Sequence, residues 1–228
     1  MIEYILLDLD DTILDFRWAE NQAIRRTLTA YGIAPSDAVI ERYRTINFAH
    51  WRMLERKEIT REELQVSRFR QLQQELELEG DPVAFSELYV RCLSEGHCFL
   101  PGAEETLRRL AKRYRLFLVT NGTARVQHSR LASAGIAPLF EKLFISEEQG
   151  ANKPQVEYFD RCFAQIPGFR KDRAIIVGDS LNSDIRGGIN AGILTCWVNP
   201  THRPERDGIH PDYQIENLPQ LLPILETL

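Results

Sequence analysis

The sequence predicts an α/β fold, a parallel sheet covered by helices and interrupted after its first strand by an all-helical block. Three observations carry this expectation. Apolar runs of strand length alternate with stretches of helical period over the second half of the chain. Residues from about 18 to 98 hold no convincing strand and carry helical patterns instead. The apolar runs end abruptly in polar residues: Asp8, Asp10 and Asp11 after the first, Thr120-Asn121-Gly122 after the second, Asp179-Ser180 after a later one.

The first strand is Tyr4-Ile5-Leu6-Leu7, an apolar run cut off by three aspartates and Thr12. Past Thr12 the period becomes helical. Ser36 and Asp37 cap a helix with Val39, Ile40, Tyr43, Ile46, His50 and Met53 or Leu54 on one face. Thr60-Arg61-Glu62-Glu63 is a capping box for the next helix, with Leu64, Phe69, Leu72 and Leu76. Gly80-Asp81-Pro82 ends that helix and opens another. Pro101-Gly102 marks the return to alternation. A helix over 104–112 precedes the strand Leu116-Phe117-Leu118-Val119, and a helix over 125–134 precedes Leu143-Phe144-Ile145, which ends at Ser146. A helix after Pro154 leads to Ala174-Ile175-Ile176-Val177. A helix over 183–191, the strand Leu194-Thr195-Cys196-Trp197-Val198 and a short strand near Tyr213-Gln214-Ile215 complete the pattern. Such alternation implies a parallel sheet with both faces covered.

The 228 residues suffice for one large domain or a domain carrying an insertion, and 43% hydrophobic residues argue for a sizeable core and against disorder. A formal charge of −5 argues against bulk nucleic-acid binding, which shows a basic face. No apolar run approaches the ~20 residues of a membrane span. No basic region or cleavage pattern precedes the aspartates. Cys92, Cys98, Cys162 and Cys196 form neither a CxxC pair nor a zinc spacing, so they read as reduced thiols in a cytoplasmic protein.

Side chains alternate along a strand, so Asp8 and Asp10 project to the same side where it ends. Two carboxylates crowded at a buried strand end repel each other and are poorly solvated unless a cation or a shared proton relieves them. A solvated acidic turn is the plain alternative. A calcium loop is not, because Thr12 and Ile13 stand where its third ligand and its glycine belong. In an open parallel sheet, ligands bind beyond the carboxyl ends of the strands. That rule brings Asp8, Asp10, Thr120, Asn121 and Asp179 to one edge, which separate solvated turns would not require.

The chain resembles the phosphatases of the haloacid dehalogenase superfamily. Asp8, Asp10 and Thr12 match the family's Asp-x-Asp-x-Thr motif, Thr120 its strand ending in Thr or Ser, and Lys153 in Asn152-Lys153-Pro154 its lysine. Gly178-Asp179-Ser180 with Asp184 matches the last motif. The resemblance covers the whole chain and implies a core of residues 1–15 and 99–228, with residues 16–98 as a helical cap. Asp8 would be the nucleophile that forms an aspartyl phosphate. Asp10 would protonate the leaving alkoxide and then deprotonate water, a task that calls for a raised pKa. Mg2+ would be held by Asp8, the main-chain carbonyl of Asp10, Asp179 and Asp184, the last directly or through water. Leu9, Thr120, Asn121, Gly122 and Lys153 would bind the phosphoryl group. Asp11 reads as a turn residue, Asp184 alternatively as a helix cap, and Arg125 and His128 as a solvated helix face.

In this superfamily an insertion after the first motif closes over the phosphate, here with hinges near Asp15-Phe16 and Phe99-Leu100-Pro101. Phe16, Trp18, Phe48 and Trp51 would stack on a planar leaving group or, on the alternative reading, pack the cap core. The 47–69 stretch, Ile145-Ser146-Glu147-Glu148 and the 187–192 segment with Thr195-Cys196-Trp197 resemble bacterial pyrimidine nucleoside 5′-monophosphatases. The expected substrate is thus a small phosphate monoester, a nucleotide by this resemblance, handled by a monomer or homodimer. The nearest alternative is a sugar-phosphate or phosphoglycolate phosphatase. A mutase would need a cap that excludes water during phosphoryl return, and a dehalogenase has no need of Asp10. A phospho-receiver signalling domain would carry its phosphorylated Asp on the third strand, where this chain has Ser146.

Overall fold

The computed structural model describes residues 1–205 and 208–228. In chain order the elements are β1 (Tyr4–Leu7), α1 (Phe16–Ala30), α2 (Asp37–Glu55), α3 (Arg61–Glu75), α4 (Pro82–Glu95), α5 (Ala103–Leu110), β2 (Arg115–Thr120) and α6 (Ala124–Ser133). They continue with β3 (Lys142–Ile145), α7 (Ser146–Gln149), α8 (Val156–Phe163), β4 (Ala174–Gly178), α9 (Arg186–Ala191), β5 (Leu194–Val198), β6 (Tyr213–Ile215) and α10 (Leu221–Thr227). The chain divides into two compact units, one of Met1–Phe16 with His97–Leu228, the other of Arg17–Gly96.

The first unit is built on one six-stranded sheet in the order β3-β2-β1-β4-β5-β6, and every neighbouring pair is parallel. The expected fold class is therefore what the chain adopts. Leu7 pairs in register with both Leu118 and Val177, which brings the carboxyl ends of β2, β1 and β4 level. The strand order reverses between β1 and β4, and that is where a parallel sheet opens a crevice at its carboxyl edge. Alternation along the strands sorts the apolar side chains to two faces. Ile5, Leu7, Leu116, Leu118, Ile175 and Val177 pack with Leu107, Leu110, Leu131 and Leu221. Tyr4, Leu6, Phe117, Val119, Phe144 and Ile176 pack with Tyr158, Phe159, Cys162 and Phe163. Each such fully buried side chain contributes roughly 1.5–3 kcal/mol, so the sheet is a rigid base for whatever its carboxyl edge carries.

The second unit is helical among its described residues. The Ser36 side chain accepts a hydrogen bond from Val39 N at 3.4 Å at the start of α2. The capping box at α3 is closed in both directions: Glu63 N donates to Thr60 Oγ1 at 3.2 Å, and Thr60 N to Glu63 Oε2 at 2.8 Å. Asp81 caps α4 by accepting from Val83 N at 2.9 Å, with Pro82 in the first turn. Its core is aromatic. The Phe69 ring centroid lies 5.6 Å from that of Tyr43, and 5.2 Å from those of Phe85 and Tyr89. Beside it runs a buried polar chain, in which Arg68 Nη1 donates to Asn47 Oδ1 and Asn47 Nδ2 to Glu20 Oε1, each at 2.8 Å. Buried His50 donates from Nδ1 to Ile46 O at 2.9 Å, a bond within its own helix.

Two local features depart from the sequence expectation. A single helix over 183–191 becomes a π-helical turn at Leu181–Ile185 followed by α9. The wider turn leaves Asp184 Oδ2 to accept from Ser180 N at 3.0 Å, and such turns recur at functional sites. Beyond Ile145 the chain winds at once into the short helix α7, where a plain strand end was expected.

Candidate active site

The loop after β1 is wound tightly on itself. Asp8 N donates to Val177 O at 3.0 Å, which extends the β1–β4 ladder by one residue. Ile13 N and Leu14 N both donate to Leu9 O at 2.9 Å, and Asp11 N donates to Leu14 O at 2.8 Å. Asp11 sits at φ 57°, a left-handed conformation that aspartate tolerates better than most residues. Its Oδ1 accepts from Phe16 N at 3.0 Å, so this third aspartate seats the start of α1. The Leu9 side chain is fully buried in the sheet core, which leaves only its main chain for a ligand.

Lys153 is 1% exposed, and its ammonium donates three hydrogen bonds: to Asp8 Oδ1 at 2.7 Å, Asp184 Oδ1 at 2.6 Å and Val119 O at 2.7 Å. Asn121 holds the backbone that carries it. Asn121 Nδ2 donates to Lys153 O at 2.9 Å and Lys153 N to Asn121 Oδ1 at 2.8 Å. The Asn121 side chain is thus committed to the lysine loop. Gly178 lets Asp184 approach, because a Cβ there would lie 2.3 Å from the Asp184 carboxyl carbon. On the far side, Trp197 Nε1 and Arg203 Nη2 each donate to Asp179 O at 2.8 Å.

Asp8, Asp179 and Asp184 offer carboxylate oxygens that all lie within 4.8 Å of one another. The electrostatics follow from burial. Burial first, then Asp184 and Asp10, raise the Asp8 carboxyl to about 8, although Lys153 pulls the other way. Asp179 is raised well above the usual carboxylate range by burial, with Asp184, Asp8 and Asp11 adding to it against the weaker pull of Arg203. Burial alone would lower Lys153, yet Asp184 and Asp8 together outweigh it and hold the ammonium above its ordinary value. The buried ammonium and the more distant Arg203 guanidinium do not offset three crowded carboxylates. A compact set of hard oxygen donors with excess negative charge suits a small divalent cation such as Mg2+.

The Asp10 carboxylate is gripped by α6: Arg130 Nη1 donates to Oδ1, and Gln127 Nε2 donates to Oδ2 at 2.8 Å. Gln127 Nε2 also donates to Thr120 Oγ1 at 2.9 Å, and Arg130 Nη1 to Gln127 Oε1 at 3.1 Å. Gly122, whose N donates to Thr120 Oγ1 at 3.3 Å, leaves the space, since a Cβ there would lie 2.3 Å from Gln127 Nε2. The sequence reading missed Gln127 and Arg130 and weighed Arg125 and His128 instead. His128 is surface-exposed and pairs with Glu148 at 2.7 Å. The available signal was two polar residues on the same face as Val126 and Leu131, the buried side of α6.

Of the aromatic candidates, Phe16 belongs to the first unit and lies 5.6 Å from the Arg130 guanidinium. Phe48 and Trp51 are in the second unit. Phe48 is 66% exposed and so is no part of the core, and Trp51 is partly exposed. Each faces a guanidinium, Arg52 at 5.9 Å and Arg61 at 5.6 Å.

A parallel sheet with acidic, basic and hydroxyl side chains gathered at its carboxyl edge defines an α/β enzyme whose reactive groups lie where the strands end. The chain belongs to the haloacid dehalogenase-like hydrolases, whose family model matches residues 2–192. It is 37% identical over 225 residues to the pyrimidine 5′-nucleotidase PynA of Streptococcus pneumoniae, across 98% of this chain and 95% of that one. It is 31% identical over 223 residues to the pyrimidine 5′-nucleotidase YjjG of Escherichia coli, across 98% and 97%. The crystal structure of YfnB from Bacillus subtilis bound to magnesium matches with a TM-score of 0.93 and 39% identity, over 98% of each chain. No described helix is long and apolar enough to cross a membrane.

Proposed function

We propose that this hydrolase is a magnesium-dependent phosphomonoesterase that acts through Asp8 on nucleoside 5′-monophosphates, with a preference for pyrimidines. The observation that carries the reaction is the meeting of Lys153, Asp8, Asp184 and Asp179 at the carboxyl edge of the sheet, beside Thr120. Asp8, Asp179 and Asp184, with the main-chain carbonyl of Asp10, would hold Mg2+. Bound there, the ion supplies positive charge that neutralises phosphoryl oxygens and eases the approach of an anion to Asp8.

The remaining chemistry belongs to the chain. The Asp8 carboxylate attacks phosphorus, and the bond from phosphorus to the ester oxygen breaks. The proton on the Asp10 carboxyl passes to that departing oxygen, which leaves as an alcohol. Water then attacks phosphorus and gives a proton back to Asp10, and the bond to Asp8 breaks to release phosphate. Thr120 and the N–H groups of Leu9, Asn121 and Gly122 orient the phosphoryl oxygens, and Lys153 balances the charge that develops on them.

The second unit serves as the cap in this reading. Two full-length relatives named pyrimidine 5′-nucleotidases support the substrate class, and so does the exposed Phe48 with Trp51, surfaces suited to a flat base. Four free cysteines fit a reducing, cytoplasmic setting. The test is phosphate release from a panel of monophosphates with magnesium, with EDTA and Asp8→Asn controls. Preference for pyrimidine 5′-monophosphates is the expected result. Preference for sugar phosphates would keep the chemistry and overturn the substrate, while no release from any ester would overturn both.

A further inference from the structure

We propose that Gln127 and Arg130 are positioning residues that hold the Asp10 carboxylate where the ester oxygen departs and tie it to the phosphate-binding Thr120. The inference rests on the phosphomonoesterase reading and adds two residues to it.

Three features of the geometry argue for this. Both Asp10 oxygens are held at once, Oδ1 by Arg130 and Oδ2 by Gln127, which fixes the plane of the carboxylate as well as its position. The holders are themselves held: Arg130 is 0% exposed, bonded to Gln127 and covered by the Phe16 ring, and Gln127 is buried with its amide shared between Asp10 and Thr120. The surrounding backbone is shaped for the amide, because any side chain at Gly122 would occupy its place. A fully buried arginine is costly to desolvate, and an apolar side chain of similar size would commonly serve stability as well or better. What an apolar side chain does not supply is a fixed pair of donors aimed at a carboxylate. The amide of Gln127 thereby couples two jobs, since a shift of Thr120 toward a phosphoryl oxygen is felt at Asp10 through one nitrogen.

Positioning of this kind is distinct from mere packing because its loss depends on the leaving group. An alkoxide needs the proton from Asp10, whereas p-nitrophenolate is stable as an anion and leaves without it. Breakdown of the covalent intermediate needs Asp10 for either ester.

The experiment compares wild type, Gln127→Leu, Arg130→Met, Asp10→Asn and the double variant Gln127→Leu with Asp10→Asn on uridine 5′-monophosphate and p-nitrophenyl phosphate. Asp8→Asn is the control for the reaction itself. Gln127→Leu is close in shape and keeps the test open if Arg130→Met fails to fold. The expected result is a kcat on the nucleotide lowered about 100-fold by Gln127→Leu, with KM nearly unchanged. With the aryl ester, the same variant keeps the first-turnover burst of p-nitrophenolate and slows only afterwards. In the Asp10→Asn background, Gln127→Leu causes no further loss, the sign that both act through one group. Equal loss on both esters in the first turnover, or full additivity with Asp10→Asn, would overturn the positioning role while leaving the reaction in place. A wild type without Asp8-dependent turnover of either ester would overturn the reaction and the positioning role together.

Discussion

The carboxyl edge of the sheet and the aromatic surface of the helical unit are built on opposite principles. At the sheet edge, charged side chains are tied to partners drawn from distant parts of the chain. Lys153 alone joins residues 8, 119 and 184. On the helical unit, Phe48 and Trp51 stand partly in solvent, each facing a guanidinium. The first arrangement allows one geometry. The second can be altered one residue at a time at little cost to folding.

The contrast is most severely broken at Asp8. Asp8→Asn keeps the size of the side chain and removes the nucleophile, so turnover should fall by roughly 10⁴-fold or more with the circular dichroism spectrum unchanged. Retained turnover would refute covalent catalysis by this residue.

Lys153→Met comes next. It leaves Asp8 and Asp184 buried together without their cation, a change expected to cost about 3–5 kcal/mol. A guanidinium chloride titration should show it, and added magnesium should recover more stability in this variant than in wild type. An unchanged midpoint would mean that the carboxylates do not depend on the ammonium.

The third prediction concerns pH. Asp8, raised to about 8 when folded, holds a proton that the unfolded chain has released between about pH 4 and pH 8, and Asp179 is shifted in the same direction. The stability these protonated groups lend is complete below pH 4 and is lost as pH rises toward 8. Magnesium needs the carboxylates deprotonated. The difference in Tm with and without magnesium should therefore widen from pH 5.5 to pH 8.5, and a constant difference would contradict the assignment.

The smallest effect lies on the helical unit. Phe48→Ala should change stability by no more than about 0.5 kcal/mol, as exposed substitutions do, while raising KM for pyrimidine nucleotides severalfold. A large loss of stability with unchanged KM would place the ring in the fold and not at the substrate.

Much of the sheet and its acidic edge was legible in the sequence because strands place chemistry at their ends. Asp8, Thr120 and Asp179 each follow an apolar run whose type and direction are plain, and register does the rest. Capping residues made α2, α3 and α4 equally readable. Gln127 and Arg130 were not, because a polar pair three residues apart on a helix looks the same whether it faces water or a buried carboxylate. The partner that decides between them is Asp10, more than a hundred residues away in sequence. The π-helical turn escaped for a similar reason, since its geometry answers to where Asp184 must reach and not to local propensity. Phe16 looked like part of the helical block by its period and proves to lie in the sheet unit.

Trp197 has an optical consequence. Its indole is buried, and its N–H is bonded to the main chain of Asp179, one of the carboxylate residues at the centre of the site. The other two tryptophans, Trp18 and Trp51, are open to solvent to different degrees. A soluble quencher such as iodide silences them in preference to Trp197. The residual emission then comes from a fluorophore bonded to the main chain of Asp179, so the native chain carries a spectroscopic probe beside its carboxylate cluster.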